Sequence, residues 1–109
     1  MNHAATDSGL DLVTGAFSHI GSHIASRLID RGRRVHTFTY HPDREHALRE
    51  RVEAHSYSFD DPAQLEQSLE GVETLYNTYW VRIEHDGTSF DEAVRNSRIL
   101  FDAARRAGV

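Results

Sequence analysis

With 109 residues, a formal net charge of −5 at pH 7 and no cysteine, the chain has the size of one domain and lacks disulfides, thiolate metal sites and a thiol nucleophile. The acidic balance argues against general nucleic-acid binding, and all 12 basic residues are arginines, so the chain offers no catalytic lysine. No apolar run approaches the ~18 residues of a membrane span, and residues 1–8 form a polar lead-in without signal-peptide features, so we expect a cytoplasmic protein that does not bind membranes.

The segment from Leu10 to Gly32 is the most informative part of the chain. Leu10 to Thr14 is a short, mostly apolar stretch of the kind that forms a central parallel strand. Gly15 permits a tight turn after that strand, and Gly21 permits close packing at the start of the next helix. Free backbone N–H groups at such a helix start are suited to phosphate oxygens, so the segment predicts a phosphate-binding βαβ opening.

The remainder of the chain alternates between helical and extended patterns. Ile20, Ile24 and Leu28 recur on one face of the first helix, which Gly32 ends. The predicted elements that follow are a strand over 34–40, a short charged helix over 42–51, a strand over 52–59, a helix over 60–71, a strand over 73–79, a polar loop over 80–88 and a helix over 89–108. This alternation predicts an α/β fold with a parallel sheet in the order 3-2-1-4, with a ligand crevice at the carboxyl ends of strands one and four.

Local signals support the predicted helices. Glu45 and Arg49 have the spacing of a favourable helical pair, Asp61 precedes Pro62 as a cap, and Ser89 and Glu92 form a capping box. The side chains predicted to be buried are Leu65 and Leu69 in the helix over 60–71 with Val72 just after its end, and Phe90, Val94, Ser97, Phe101 and Ala104 in the last helix. Arg33, Arg34, Arg105 and Arg106 are predicted to be solvated, and the histidines beyond His19 and His23 to be scattered and solvent-facing.

Four segments occur together in one order, and they carry a family resemblance. They are Val13-Thr-Gly-Ala-Phe-Ser-His-Ile-Gly21, Phe59-Asp-Asp-Pro-Ala-Gln-Leu65, Gly71-Val-Glu-Thr-Leu-Tyr-Asn-Thr-Tyr-Trp80 and the stretch from Asn96 to Val109. Through them, residues 9–109 resemble the N-terminal half of the Rossmann domain of atypical or extended short-chain dehydrogenases/reductases, of the NmrA-like and NAD-dependent epimerase/dehydratase types. The resemblance implies NAD(P) binding and, in the enzymes, hydride transfer assisted by a Tyr-x-x-x-Lys pair.

The chain departs from the family pattern in three ways. Ser18 stands where the family has the middle glycine of its turn, and Ser58 stands where the family commonly has an aspartate that contacts adenine. The fold is expected to be truncated after its fourth helix, because in the family a fifth strand with a catalytic Ser or Thr would follow Val109. The Tyr-x-x-x-Lys pair is absent from this chain, so we predict no catalytic residue and a catalytically incomplete domain.

The resemblance implies a set of cofactor contacts. Backbone N–H groups near Ser18 to Ser22 would hold the pyrophosphate, Tyr40 and Arg44 would face the adenosine ribose, and Asn77 and Thr78 would lie near the nicotinamide ribose. The predicted cofactor-binding residues are Thr14, Gly15, Phe17, Ser18, His19, Ile20, Gly21, Tyr40, Arg44, Ser58, Phe59, Asn77 and Thr78.

The end of the second strand bears on the choice between NAD and NADP. No carboxylate occupies positions 39 and 40, where an acid would bind the ribose hydroxyls of NAD, and Arg44 is close enough in sequence to serve a 2′-phosphate. The negative charge of the adjacent Asp43 would disfavour a 2′-phosphate, so the pattern favours NADP only slightly. His19 and His23 have a spacing that metals use, but no third ligand accompanies them, and we predict no metal site.

The sequence is compatible with three functions. The chain is part of an oxidoreductase or epimerase, a non-catalytic NAD(P)-sensing regulatory module such as the NmrA-like regulators, or a remnant that has lost nucleotide binding. We also expect self-association, or a partner that covers the edge of the fourth strand and the apolar face of the last helix.

Overall fold

The computed structural model describes residues 9–79 and 90–109. The predicted lead-in over 1–8, the loop over 80–88 and Ser89 of the predicted capping box lie outside these residues. The elements are β1 (Leu10–Val13), α1 (His19–Asp30), β2 (Arg34–Thr39), β3 (Val52–Ser56), α2 (Pro62–Ser68), β4 (Val72–Tyr76) and α3 (Phe90–Ala107). In the described ranges, none of the helices combines the length and apolarity needed to cross a membrane.

The four strands form one parallel sheet in the order β3-β2-β1-β4, which confirms the predicted topology. Leu10 at the start of β1 is in register with Arg34 of β2 and with Val72 of β4. All four strands therefore end at one edge of the sheet, and β1 lies between the ends of β2 and β4.

Helices cover both faces of the sheet. On one face α1 packs over a cluster around Val13, Phe17 and Val35, and on the other α2 and α3 pack over a cluster around Leu12 and Phe38. Leu65 and Leu69 of the α2 segment are fully buried, as predicted. Val72 is also buried, but it is the first residue of β4 and not part of the helix.

Residues 42–51 do not form the predicted charged helix. They form turns, in which Arg49 N donates to His46 O at 3.0 Å and Arg51 N donates to Leu48 O at 2.9 Å. One helical charge pair contributes only ~0.2–0.5 kcal/mol, which does not offset the cost of starting so short a helix. Burial decides the conformation instead, because His46 packs on the ring of Phe17 at 5.3 Å between centroids and Leu48 joins the same cluster.

The buried face of α3 differs from the prediction. Ala104 is buried as predicted, together with Leu100, Ala93 and Ala103, whereas Phe90, Val94 and Phe101 are 47%, 54% and 49% exposed. Both sets have helical spacing, so periodicity alone does not choose between them. The alanines allow α3 to approach the sheet and α2 closely, and the bulky side chains lie outside this contact.

Arg33 is not the solvated side chain that the sequence suggested. It forms a two-pronged ion pair with Asp11, with Nε to Oδ2 at 2.8 Å and Nη2 to Oδ1 at 2.7 Å, and Nη2 also lies 2.8 Å from Glu73 Oε1. Asp11 is a nearly fully buried carboxylate inside the central strand. The ion pair therefore holds the connection between α1 and β2 against β1. The sequence did not predict this role, because β1 was expected to be a mostly apolar strand.

Candidate functional site

The turn between β1 and α1 depends on its two glycines. Gly15 has a φ of +65°, in the left-handed region that favours glycine, and its N–H donates to Phe38 O of β2 at 2.9 Å. A Cβ at Gly21 would overlap the carbonyl group of Gly15, with the carbonyl carbon only 2.6 Å away. The predicted tight turn and close helix approach are therefore both present.

Ser18, the departure from the family's glycine, caps α1. Its backbone is extended at φ −85° and ψ 173°, a conformation open to any residue, so glycine is not required there. The hydroxyl donates to Gly15 O at 2.6 Å and accepts from Gly21 N at 3.3 Å. The side chain is thus directed back into the turn as an N-cap.

The first turn of α1 leaves backbone donors open at the edge of the sheet. Helical geometry gives the first N–H groups no intrahelical acceptor, and Ser18 supplies one only to Gly21. The N–H groups of His19 and Ile20 have no acceptor within the described part of the chain, and both residues are exposed. Ile20 is 58% exposed, so it does not join the buried face of α1 that its spacing predicted. An exposed helix start with open donors and a positive dipole end suits a bound anion.

Thr14, Asn77 and Thr78 join the ends of β1 and β4. The Thr14 hydroxyl donates to Asn77 Oδ1 at 3.0 Å and accepts from Thr78 N at 2.6 Å, and the Thr78 hydroxyl donates to Thr14 O at 2.6 Å. Thr14 is fully buried, whereas Asn77 is exposed. The predicted strand over 73–79 ends at Tyr76 because the chain turns here to make these side-chain contacts.

Thr37 also supports the glycine turn, and the sequence reading missed it. Its buried hydroxyl donates to Val13 O at 2.5 Å and accepts from Ala16 N at 3.0 Å. Threonine is common in strands, so nothing in the sequence of this strand distinguishes Thr37 as a residue that supports the turn.

Four aromatic rings gather just beyond the carboxyl ends of three strands. Tyr57 stacks on Phe59 at 5.0 Å between centroids and lies 4.7 Å from Tyr40 and 5.2 Å from Tyr79. The hydroxyl oxygens of Tyr40 and Tyr79 are 3.2 Å apart, and Asn96 Nδ2 of α3 donates to Tyr79 Oη at 3.1 Å. We call Tyr40, Tyr57, Phe59 and Tyr79 the aromatic cluster. Tyr57 and Tyr79 were not predicted, although each follows a strand.

The cluster changes the acidity of two of its phenols. Burial raises the pKa of Tyr57, and the neighbouring Tyr79 adds to the effect. Burial and the hydrogen bond with Tyr79 raise the pKa of Tyr40. Both phenols are therefore neutral at physiological pH and act as hydrogen-bonding, stacking groups rather than as bases.

The segment after β2 forms an open concavity of about 550 Å³ lined by residues 40–44. Arg44 N donates to His41 O at 3.0 Å in a turn, and the Arg44 side chain is exposed. Asp43 lies 3.5 Å from Arg49, so its charge has a nearby cation. Among the described residues Arg44 makes no ion pair.

Two of the predicted cofactor-binding residues, Phe17 and Ser58, lie apart from the hydrogen-bonded turn and the aromatic cluster. Phe17 is buried in the cluster under α1, so only its backbone can face a ligand at the turn. Ser58 is half-buried after β3, where its carbonyl accepts from Asp61 N at 2.9 Å. Asp61 caps α2 by accepting from Gln64 N, as its position before Pro62 predicted.

Residues 12–109 match the sequence profile of the NAD dependent epimerase/dehydratase family. The chain belongs to this family. Membership agrees with the resemblance carried by the glycine turn and the three later segments.

Individual relatives extend the comparison. Sterol demethylase protein B of Methylococcus capsulatus (strain Bath) is 36% identical over 102 residues, which cover 90% of this chain and 31% of that protein. The enzyme WbmH of Bordetella bronchiseptica, solved in complex with NAD⁺, superposes with a TM-score of 0.70 at 21% identity, over 94% of this chain and 36% of that one. The Y136A mutant of uronate dehydrogenase from Agrobacterium tumefaciens, complexed with NAD, superposes with a TM-score of 0.69 at 18% identity, over 93% and 38%.

The chain therefore spans 31–38% of the length of these three proteins. The two structural likenesses establish the Rossmann-type fold of the matched part. What those proteins bind is a property of those proteins, and it bears on this chain only as a proposal.

Proposed function

We propose that this chain is a dinucleotide-binding unit that holds the pyrophosphate of NAD(P) at the start of α1. The observation that carries the proposal is the glycine turn, in which Gly15 and Gly21 bring the strand end and helix start together beside open N–H groups. His19 and Ile20 would supply two of these donors without any side-chain charge. Relatives solved with NAD support the same ligand class.

The remaining contacts follow from the position of the turn at the sheet edge. Tyr40 and Phe59 of the aromatic cluster offer ring faces for adenine, with Ser58 as a hydrogen-bonding neighbour. Asn77 and Thr78 lie on the β4 side of the turn and would face the nicotinamide ribose. Ser18 would act on the nucleotide through its cap of α1, because its hydroxyl is already engaged with Gly15 and Gly21.

Arg44 supports a preference for NADP. Its exposed guanidinium borders the concavity after β2, and no carboxylate within the described residues pairs with it. A guanidinium binds a phosphate through two parallel hydrogen bonds, so a 2′-phosphate would gain a contact that NAD lacks. The relatives solved with NAD make the preference a matter for direct measurement.

Hydride transfer would need groups that this chain does not supply. The family's enzymes use a Tyr-x-x-x-Lys pair, and the 109 residues contain no lysine. We therefore propose that the chain by itself binds the nucleotide without turning it over. A regulatory sensor would also bind without turnover, whereas a remnant would not bind.

Calorimetric titration of the purified chain with NADPH and with NADH tests this proposal. We expect a dissociation constant in the micromolar range for at least one nucleotide, with tighter binding of NADPH. Arg44→Gln should remove the preference while leaving NADH binding unchanged. No heat at millimolar nucleotide, from protein shown to be folded by circular dichroism, would identify the chain as a remnant.

A second property of the same unit is self-association or a covering partner. β4 lies at the edge of the described sheet, and Tyr79, Phe90, Val94 and Phe101 line an apolar concavity of about 400 Å³ on α3. Exposed strand edges and apolar helix faces of this kind mark interfaces. We propose that a second copy, or the rest of a longer protein, covers them.

A further inference from the structure

Three potential metal ligands meet on β2 and β3, away from the glycine turn. His36 is in register with Glu53, and His55 is two residues beyond Glu53 on the same face of β3. One ligand atom from each residue lies within 4.8 Å of the other two. His36 and His55 are half-buried and pack ring to ring at 5.3 Å, so the prediction that these histidines are scattered and solvent-facing is wrong.

Two histidine nitrogens of this group lack a hydrogen-bond partner within the described residues. His55 Nε2 lies 3.0 Å from Glu53 Oε2 without the alignment of a hydrogen bond, and His36 Nε2 lies 3.8 Å from Glu53 Oε1. His55 Nε2 and His36 Nδ1 are buried and have no partner in the described ranges. Buried polar atoms without partners are rare in folded proteins and need a physical explanation.

A cation shared with Glu53 would provide that explanation for His55 Nε2. Imidazole nitrogens and a carboxylate oxygen bind Zn²⁺ at about 2.0–2.2 Å, which requires only that the three side chains converge slightly from their present separations. Two histidines and one carboxylate form a known ligand set for zinc and for related transition metals. Ca²⁺ and Mg²⁺ prefer oxygen donors, so they fit this set poorly.

We propose that His36, Glu53 and His55 bind one divalent transition-metal ion of the zinc type. Glu53, whose side chain is 62% exposed, gives the ion access from solvent. Because β3 is the edge strand of the described sheet, an ion held between β2 and β3 fastens that edge. The neighbouring Thr37 faces the glycine turn from the opposite face of β2, so this site is separate from the proposed phosphate-binding turn.

Zinc titration of the untagged chain tests the proposal. Calorimetry with ZnSO₄ at neutral pH should show one ion per chain at micromolar affinity or tighter, and the melting temperature should rise until one equivalent is bound. MgCl₂ at the same concentrations should have neither effect. Absence of zinc binding up to millimolar concentration would overturn the proposal.

Two variants locate the ion. Glu53→Gln removes an exposed ligand, so the chain should fold normally, and zinc affinity should fall at least about tenfold, which is the lower limit seen when even an outer partner of a ligand is lost. His23→Gln breaks the other close histidine pair, His19 and His23, whose rings are 5.0 Å apart, and should leave zinc affinity unchanged. Loss of binding in His23→Gln together with full binding in Glu53→Gln would contradict the assignment.

Discussion

At the scale of single residues, Gly21 carries the strongest constraint in the site. The carbonyl group of Gly15 occupies the space that any larger side chain at position 21 would need. The start of α1 could accept a Cβ only by moving away from the turn, which would also move the N–H groups of His19 and Ile20. Replacement of this residue therefore tests the phosphate site without removing a charge.

We expect Gly21→Ala to weaken NADPH binding at least about tenfold and to lower the free energy of unfolding by about 1–3 kcal/mol, as for other overpacked sites. Gly32→Ala is the matched control. It has a φ of +82° with open space around a Cβ, so it should cost about 1–2 kcal/mol without changing the affinity. Urea denaturation and calorimetry measure both effects. Wild-type affinity in Gly21→Ala would contradict the role of the turn.

Tyr40 and Tyr57 should ionise later than ordinary tyrosine. Their folded-state pKa values are raised above the ordinary 10.0, so the stability that they contribute is complete below pH 10 and is lost as the pH rises beyond it. Alkaline titration followed by tyrosinate absorbance should show late ionisation of Tyr40 and Tyr57. In 8 M urea all four tyrosines should ionise together. Tyr57→Phe should remove one late step, and an unchanged titration curve would contradict the cluster.

At the scale of elements, the sequence predicted strand order, the glycine turn and the cap of α2 correctly because each depends on local chemistry or on general rules of chain connection. It did not predict the conformation of residues 42–51 or the buried face of α3. In both cases two local patterns were of similar strength, and contacts distant in sequence chose between them. The aromatic cluster and the pair of Asp11 with Arg33 were not predicted, because their members lie far apart in the sequence and only the fold brings them together.

Asp11→Asn tests how much the ion pair between Asp11 and Arg33 stabilises the fold. Removing one partner of a buried ion pair costs about 3–5 kcal/mol, and we expect the lower end because Glu73 keeps Arg33 partly paired. Arg105→Ala removes an exposed pair with Asp102 at 3.7 Å and should cost less than about 1 kcal/mol. Urea denaturation provides the comparison. Equal losses of unfolding free energy in the two variants would show that the buried ion pair contributes no more to stability than the exposed one.

At the scale of the whole molecule, the described part of the chain presents two surfaces with different proposed roles. The carboxyl edge of the sheet offers the proposed nucleotide site, and the outer face of α3 and the β4 edge of the described sheet offer the proposed association surface. The first predicts ligand binding, and the second predicts association.

Phe101→Glu places a charge in the middle of the exposed face of α3, where Phe101 is 49% exposed. We expect the wild-type chain to self-associate at high concentration and the variant to shift to monomer, with little loss of stability because the site is not in the core. Arg105→Ala should keep the wild-type behaviour. Light scattering after size-exclusion chromatography gives the masses. A wild-type monomer at high concentration would rule out self-association.

The most direct test of the central claim is a nuclear magnetic resonance titration of the ¹⁵N-labelled chain with NADPH. The amide resonances of His19 and Ile20 should shift most and should saturate together with those of Tyr40 and Thr78. Amides at the far end of α3, such as that of Arg105, should not move. Saturation with no change at His19 and Ile20, or no change anywhere at millimolar nucleotide, would show that the glycine turn does not bind a dinucleotide.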